Sequence, residues 1–228
     1  MQQSSLPKKE AISFGWKITK QNIFFFIGII VISIFLFLPI QIILAVIGDD
    51  SNTALLLNFP FTIISIFIGG ILSLGFTKIT LMFAANEKPE IGVLFSQYRL
   101  IFYFLFANII VSIFTSFGFL FFIIPGIIIS TRAQFFSYLI VGKNLGPIAA
   151  IKQSMFITKG HVRQLLLFSL MLIGINILGA IPLGLGLILT FPTSMLATAY
   201  IYRHLVSEPA PASQEPLQVS PPLPAPAQ

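Results

Sequence analysis

Polar and apolar positions divide this chain into long hydrophobic runs separated by short polar islands. Apolar runs occupy residues 23–47, 54–85, 99–123, 127–141, 162–180 and 187–205; 127–141 is just long enough to cross a bilayer, and the others are near or above the roughly 20 residues that a helix needs. The pattern predicts an all-α, polytopic membrane protein with six transmembrane helices. Pro39 and Pro60 predict kinks in the first two spans, and Pro125-Gly126 predicts the tight reversal between the third and fourth. Gly174 to Gly186 predicts close helix packing around the turn between the fifth and sixth.

One island, residues 146–163, is polar and helix-competent, and a shortened copy stands at residues 11–20. In both, an Ala-Ile pair (Ala11-Ile12, Ala150-Ile151) precedes a small residue (Gly15, Ser154), a bulky one (Trp16, Met155) and then Ile-Thr-Lys, with a hydrophobic run directly after. Ser13, Lys17 and Lys20 mark the polar side of the first copy, and Lys152, Gln153 and Lys159 that of the second. Ile12, Phe14, Trp16 and Ile18, and Ile148, Ile151, Met155 and Ile157, make up the opposite, apolar faces. The copies read either as cytoplasmic-side interfacial helices feeding a span or as ordinary basic, helix-capping linkers. Ile91 to Tyr98 predicts a further short surface segment.

Composition narrows the class. The chain is 56% hydrophobic and 9% charged, against about a quarter charged in a soluble domain. Three parts follow: a cytoplasmic N-terminal segment, 1–21, with its interfacial helix; a six-span membrane domain, 22–206; and a Pro-rich cytoplasmic tail, 207–228, too polar to fold and therefore expected to be disordered. The N-terminal apolar run is too long for a signal-peptide core, so it is expected to remain as the first span. With no cysteine there is no disulfide framework, thiolate metal site or catalytic thiol.

Charge supplies the orientation. Lys8, Lys9, Lys17, Lys20, Lys88, Arg99, Lys143, Lys152, Lys159, Arg163 and Arg203 all fall on one side of a six-span arrangement, and the opposite turns hold Asp49 and Asp50 with no basic residue. The positive-inside rule then predicts both termini in the cytoplasm. Tyr98, Tyr103, Tyr138, Tyr200 and Tyr202 mostly lie near the same ends, as interfacial aromatics do. The basic residues are dispersed and form no nucleic-acid-binding run.

Two cations lie more than three residues from either end of a predicted span, and the spans hold no Asp or Glu. Lys78 is close enough to a membrane surface to snorkel. Arg132 is deeper and costs about 2.5 to 3.5 kcal/mol on insertion scales unless it faces the bundle. Its donors must reach carbonyls, Asn108, Asn176, water or a lipid phosphate. One reading has Arg132 and Lys78, with Lys152 and Lys159 on the island, engaging an anionic lipid or other phosphate-bearing group. The other has Arg132 bonding backbone near the Pro125 break and merely holding its span. His161 and His204 stand alone at no metal-ligand spacing, and no Ser-His-acid set can be assembled, so neither a cofactor nor a catalytic site is expected.

Several motifs taken together carry a resemblance: Asn86-Glu87-Lys88-Pro89 before Phe95; Ile124-Pro125-Gly126 followed by Arg132; Gly146-Pro147 with Ala150, Ser154, Thr158 and Gly160; and Pro192 with Leu196-Ala197, Ala199-Tyr200 and Tyr202-Arg203. Over residues 11–205 the chain resembles a broad group of bacterial six-span integral membrane proteins, which is similar to the membrane-anchor domain of some glycerophosphodiester phosphodiesterases. The resemblance implies a helical domain in a bacterial cytoplasmic membrane. It implies no phosphodiesterase activity, because the catalytic barrel of those enzymes has no counterpart here. The expected role is a non-catalytic module associating with membrane lipids or other membrane proteins, and its rival is a transporter or pore.

Overall fold

The structure is a computed structural model that describes residues 6–47, 52–182 and 184–207. The acidic turn around Asp49 and Asp50 and the Pro-rich tail therefore lie outside the described residues. Within them the chain is all-α. It forms α1 (Lys8–Gln21), α2 (Ile23–Ile47), α3 (Asn52–Ala84), α4 (Ile101–Phe121), α5 (Ile123–Ala133), α6 (Phe136–Lys143), α7 (Pro147–Ile157), α8 (Val162–Ala180) and α9 (Leu187–Ser207), with two 3-10 turns, Ile91–Phe95 and Tyr98–Leu100, before α4. Five stretches are long and apolar enough to cross a membrane: Ile23–Val46, Asn58–Ala84, Ile91–Phe121, Ile123–Lys143 and Val162–Ala180. Large side chains on them face outward, among them Phe24, Phe35, Leu120, Phe121, Ile124 and Leu178. A hydrocarbon solvent satisfies that surface where water would not.

Packing is concentrated at one end of the bundle. The buried residues of α4, Ile101, Phe104 and Ala107, lie in its first two turns, as do Leu165 and Phe168 of α8. Leu6 donates its backbone N–H to Gln164 Oε1 at 2.7 Å, and the Arg203 guanidinium donates to the Ala84 carbonyl. These two bonds bring the start of α1, the start of α8, the end of α3 and the end of α9 together. Lys8, Lys88, Arg163 and Arg203 each lie within four residues of one of these helix ends.

At the centre is α9, which buries ten residues from Thr190 to Leu205. It is not among the five most apolar stretches, because Thr190, Thr193, Ser194 and Thr198 interrupt its hydrophobic run. Three of these hydroxyls donate within the helix, Thr193 to Leu189 O at 2.7 Å, Ser194 to Thr190 O at 2.9 Å and Thr198 to Ser194 O at 2.8 Å. A helix surrounded by other helices needs no greasy exterior, so low hydropathy here accompanies burial. Pro192 sits in the second turn, fully inside, and does not shorten the helix.

Two local expectations are corrected. The reversal after α4 is made by Phe122, in extended conformation at φ −155° and ψ 137°, while Pro125 and Gly126 belong to the first turn of α5. Proline fits there because that turn's N–H groups have no helical acceptor. Tyr138 and Tyr202 are buried core residues, stacked at 5.4 Å between centroids, and Tyr138 also donates to Met195 O at 3.3 Å. They join α6 to α9, and Tyr98 remains exposed as an interfacial residue would.

The segment before α4 is more deeply engaged than a surface strap. Leu94 is fully buried and its backbone lies against Gly75 of α3, where a Cβ would overlap the Leu94 carbonyl. Only a glycine permits that approach.

Candidate functional site

The two copies of the island are both helices, α1 and α7, and both dock by small residues. Ala11, Gly15 and Thr19 are the buried residues of α1; Ala150 and Ser154, with Thr158 just after, hold the same places in and after α7. Each set recurs every four residues and so forms one stripe along a helix face. The stripe of α1 lies on α9: the hydroxyl oxygens of Thr193 and Thr19 are 3.2 Å apart, and the backbone at Gly15 touches that of Thr193 and Ala197. Phe14 meets Tyr200 and Thr19 meets Thr193, so the two helices run in opposite directions. The bulky residues of the apolar face of α1 lie beside this stripe: Ile12, Phe14 and Ile18 are half-buried, and Trp16 is 42% exposed with Lys20 over its ring.

The stripe of α7 meets the break between α5 and α6. Residues Gln134 and Phe135 leave the helix, so backbone groups on either side lose their regular partners. The Ser154 hydroxyl takes both places: it donates to Arg132 O at 2.7 Å and accepts the Phe135 N–H at 3.2 Å. A hydroxyl from a neighbouring helix is a standard repair for broken helices inside a membrane. Thr158 donates mainly to Ser154 O, 2.8 Å away, and its oxygen lies 3.4 Å from Arg132 O.

Arg132 is half-buried and donates through Nη2 to Met155 O at 2.8 Å. Its acceptor is thus a carbonyl of α7, rather than backbone beside Pro125. Asn108 is exposed, and the Asn176 amide donates to Leu172 O at 2.9 Å and Ser194 Oγ at 2.8 Å, so neither asparagine serves Arg132. Arg132 Nε and Gln134 Nε2 are buried with no acceptor among the described residues, while Gln134 Oε1 accepts from Ser169 Oγ at 3.5 Å. Lys152 and Lys159 are exposed, the first on α7 and the second two residues beyond its end. Lys78 lies half-buried on α3, and no hydrogen bond connects it to this junction. Of the four candidate cations, then, Arg132 is hydrogen-bonded at the junction, Lys152 and Lys159 are exposed on and just past α7, and Lys78 stands apart on α3.

No protein-family model, curated protein or solved structure matches this chain. What the junction can do follows from its own chemistry. It offers N–H donors and fixed positive charge, and its one prominent hydroxyl, Ser154, is fully committed to backbone.

Proposed function

We propose that the protein is a non-catalytic module of a bacterial cytoplasmic membrane, crossing it six times with both termini in the cytoplasm, and associating with membrane lipids or other membrane proteins. The reading keeps the architecture implied by the resemblance to the phosphodiesterase membrane anchors. The observation that carries it is the filled axis of the bundle. Helix α9 occupies the middle with Leu196, Ala197, Ala199, Ile201 and Tyr202, all buried, and most of its hydroxyls are bonded within the helix. A solute crossing at this position would have to displace packed side chains. At 21 residues, α9 is about 31 Å long, enough for a sixth crossing.

Two measurements test the proposal. Single cysteines introduced at Asp50 and Lys152 of this cysteine-free chain are expected to label from opposite compartments, Lys152 from the cytoplasm; labelling from the same side overturns the six-span arrangement. Protein-dependent flux of small solutes or lipids in liposomes would replace the module reading with a transporter.

A further inference from the structure

We propose that the junction of α5 and α7 is a headgroup site for an anionic phospholipid. In it the phosphate is held by the Arg132 guanidinium and the Lys159 ammonium, and an acyl chain lies along the Ile124–Ile128 face of α5. This deepens the preceding reading and rests on the protein being a membrane module.

The charge of Arg132 is the starting point. A guanidinium carries five N–H donors and keeps its proton in proteins. Among the described residues one acceptor, Met155 O, takes any of them, and Nε is buried without one. The described carboxylates, Glu10, Glu87 and Glu90, are all exposed, and none bonds to Arg132. Gln134 Nε2, two residues on, is a second buried donor lacking an acceptor. Donors and positive charge are in surplus at this break, and an anion relieves both. Positive charge is added just beyond α7, where the exposed Lys159 stands four residues after Met155 in the turn that ends the helix.

The surface beside the guanidinium tells a lipid from a free anion. Ile124, Ile128 and Arg132 are spaced four apart on α5, so they share one face. Ile124 is 71% exposed and Ile128 40%. The face therefore runs from a hydrocarbon-exposed stripe to a cation, which matches an amphiphile with its phosphate at one end. A bidentate hold on phosphate oxygens is what the arginine fork does best.

The test uses full-length protein in detergent, exchanged with equimolar phosphatidylglycerol and phosphatidylcholine and read by native mass spectrometry. The wild type is expected to retain phosphatidylglycerol preferentially, and Arg132→Gln to reduce that preference roughly tenfold, as loss of a charge-assisted contact implies. The Ser154 hydroxyl bonds only backbone groups, Arg132 O and the Phe135 N–H, so its contacts survive the substitution. Lys159→Gln, on an exposed side chain that cannot unfold the bundle, is expected to lower the preference severalfold, and Lys78→Gln to leave it intact. Unchanged preference in both Arg132→Gln and Lys159→Gln overturns the proposal; should Arg132→Gln fail to fold, Lys159→Gln with Arg132→Lys decides by the same criterion. Displacement of phosphatidylglycerol by millimolar inorganic phosphate would make this a free-anion site and overturn the lipid assignment. Any of these failures leaves the six-span module standing, since that depends on labelling and flux.

Discussion

Removing the Ser154 hydroxyl isolates the interaction that joins α7 to the break in the fourth span. In Ser154→Ala the Phe135 N–H loses its acceptor and the Arg132 carbonyl loses its 2.7 Å donor, in a region with little water to replace either. An orphaned buried N–H costs about 1 to 3 kcal/mol. The carbonyl can be partly rescued by Thr158, 3.4 Å away, but that hydroxyl has one hydrogen and already gives it to Ser154 O. A total loss of about 2 to 4 kcal/mol follows. This is well above the average of about 0.6 kcal/mol for interhelical side-chain hydrogen bonds in membranes, because here both partners are backbone groups left behind by a broken helix. Reversible unfolding of the purified protein in mixed micelles, by titration with a denaturing detergent, measures the loss. Ser137→Ala is the control: it removes the same atom from a half-buried serine on α6 and is expected to cost less than about 0.5 kcal/mol. If Ser154→Ala costs no more than the control, the hydroxyl is not what repairs the break.

Two further substitutions probe close approaches. Gly15→Ala on an exposed helix face would stabilise by about 1 kcal/mol through helix propensity, but here the new methyl meets the Thr193 carbonyl, so the expected sign is destabilising by about 1 to 3 kcal/mol; Trp16, the chain's single tryptophan, reports undocking of α1 as a red-shifted, more quenchable emission. Gly75→Val drives a branched side chain into the Leu94 backbone and is expected to release the segment before α4, read as faster proteolysis between residues 86 and 100.

The succession of helices was legible because apolar runs of membrane length leave few alternatives, and the runs at 23–47, 162–180 and 187–205 fall within two residues of the ends of α2, α8 and α9. The docking faces were not legible from the large apolar residues. Those of the two copies mark an apolar side, but Trp16 and Ile148 are exposed while Ile151 is buried, so bulk does not tell a face that meets lipid from one that meets another helix. Against lipid, a large apolar side chain is equally content facing outward, and helices approach best where side chains are small. The signal was present in the same letters: Ala11, Gly15 and Thr19 repeat as Ala150, Ser154 and Thr158. The break at Gln134 and Phe135 had no such signal, since neither residue is a glycine or proline, and it became visible only with the Ser154 bridge.

The same inversion explains why the two copies of the island behave alike in different surroundings. A small-residue stripe prescribes close approach without prescribing a partner, so one copy can lie on the continuous helix α9 and the other on the interrupted pair α5–α6. What differs is the middle residue. Gly15 meets an intact backbone and needs nothing but room. Ser154 meets a backbone with an unpaired N–H and C=O, and its hydroxyl is the smallest group that satisfies both. Exchange of the two therefore has a direction: a glycine at 154 keeps the fit and loses the hydrogen bonds, whereas a serine at 15 gains a hydroxyl with no room to place it.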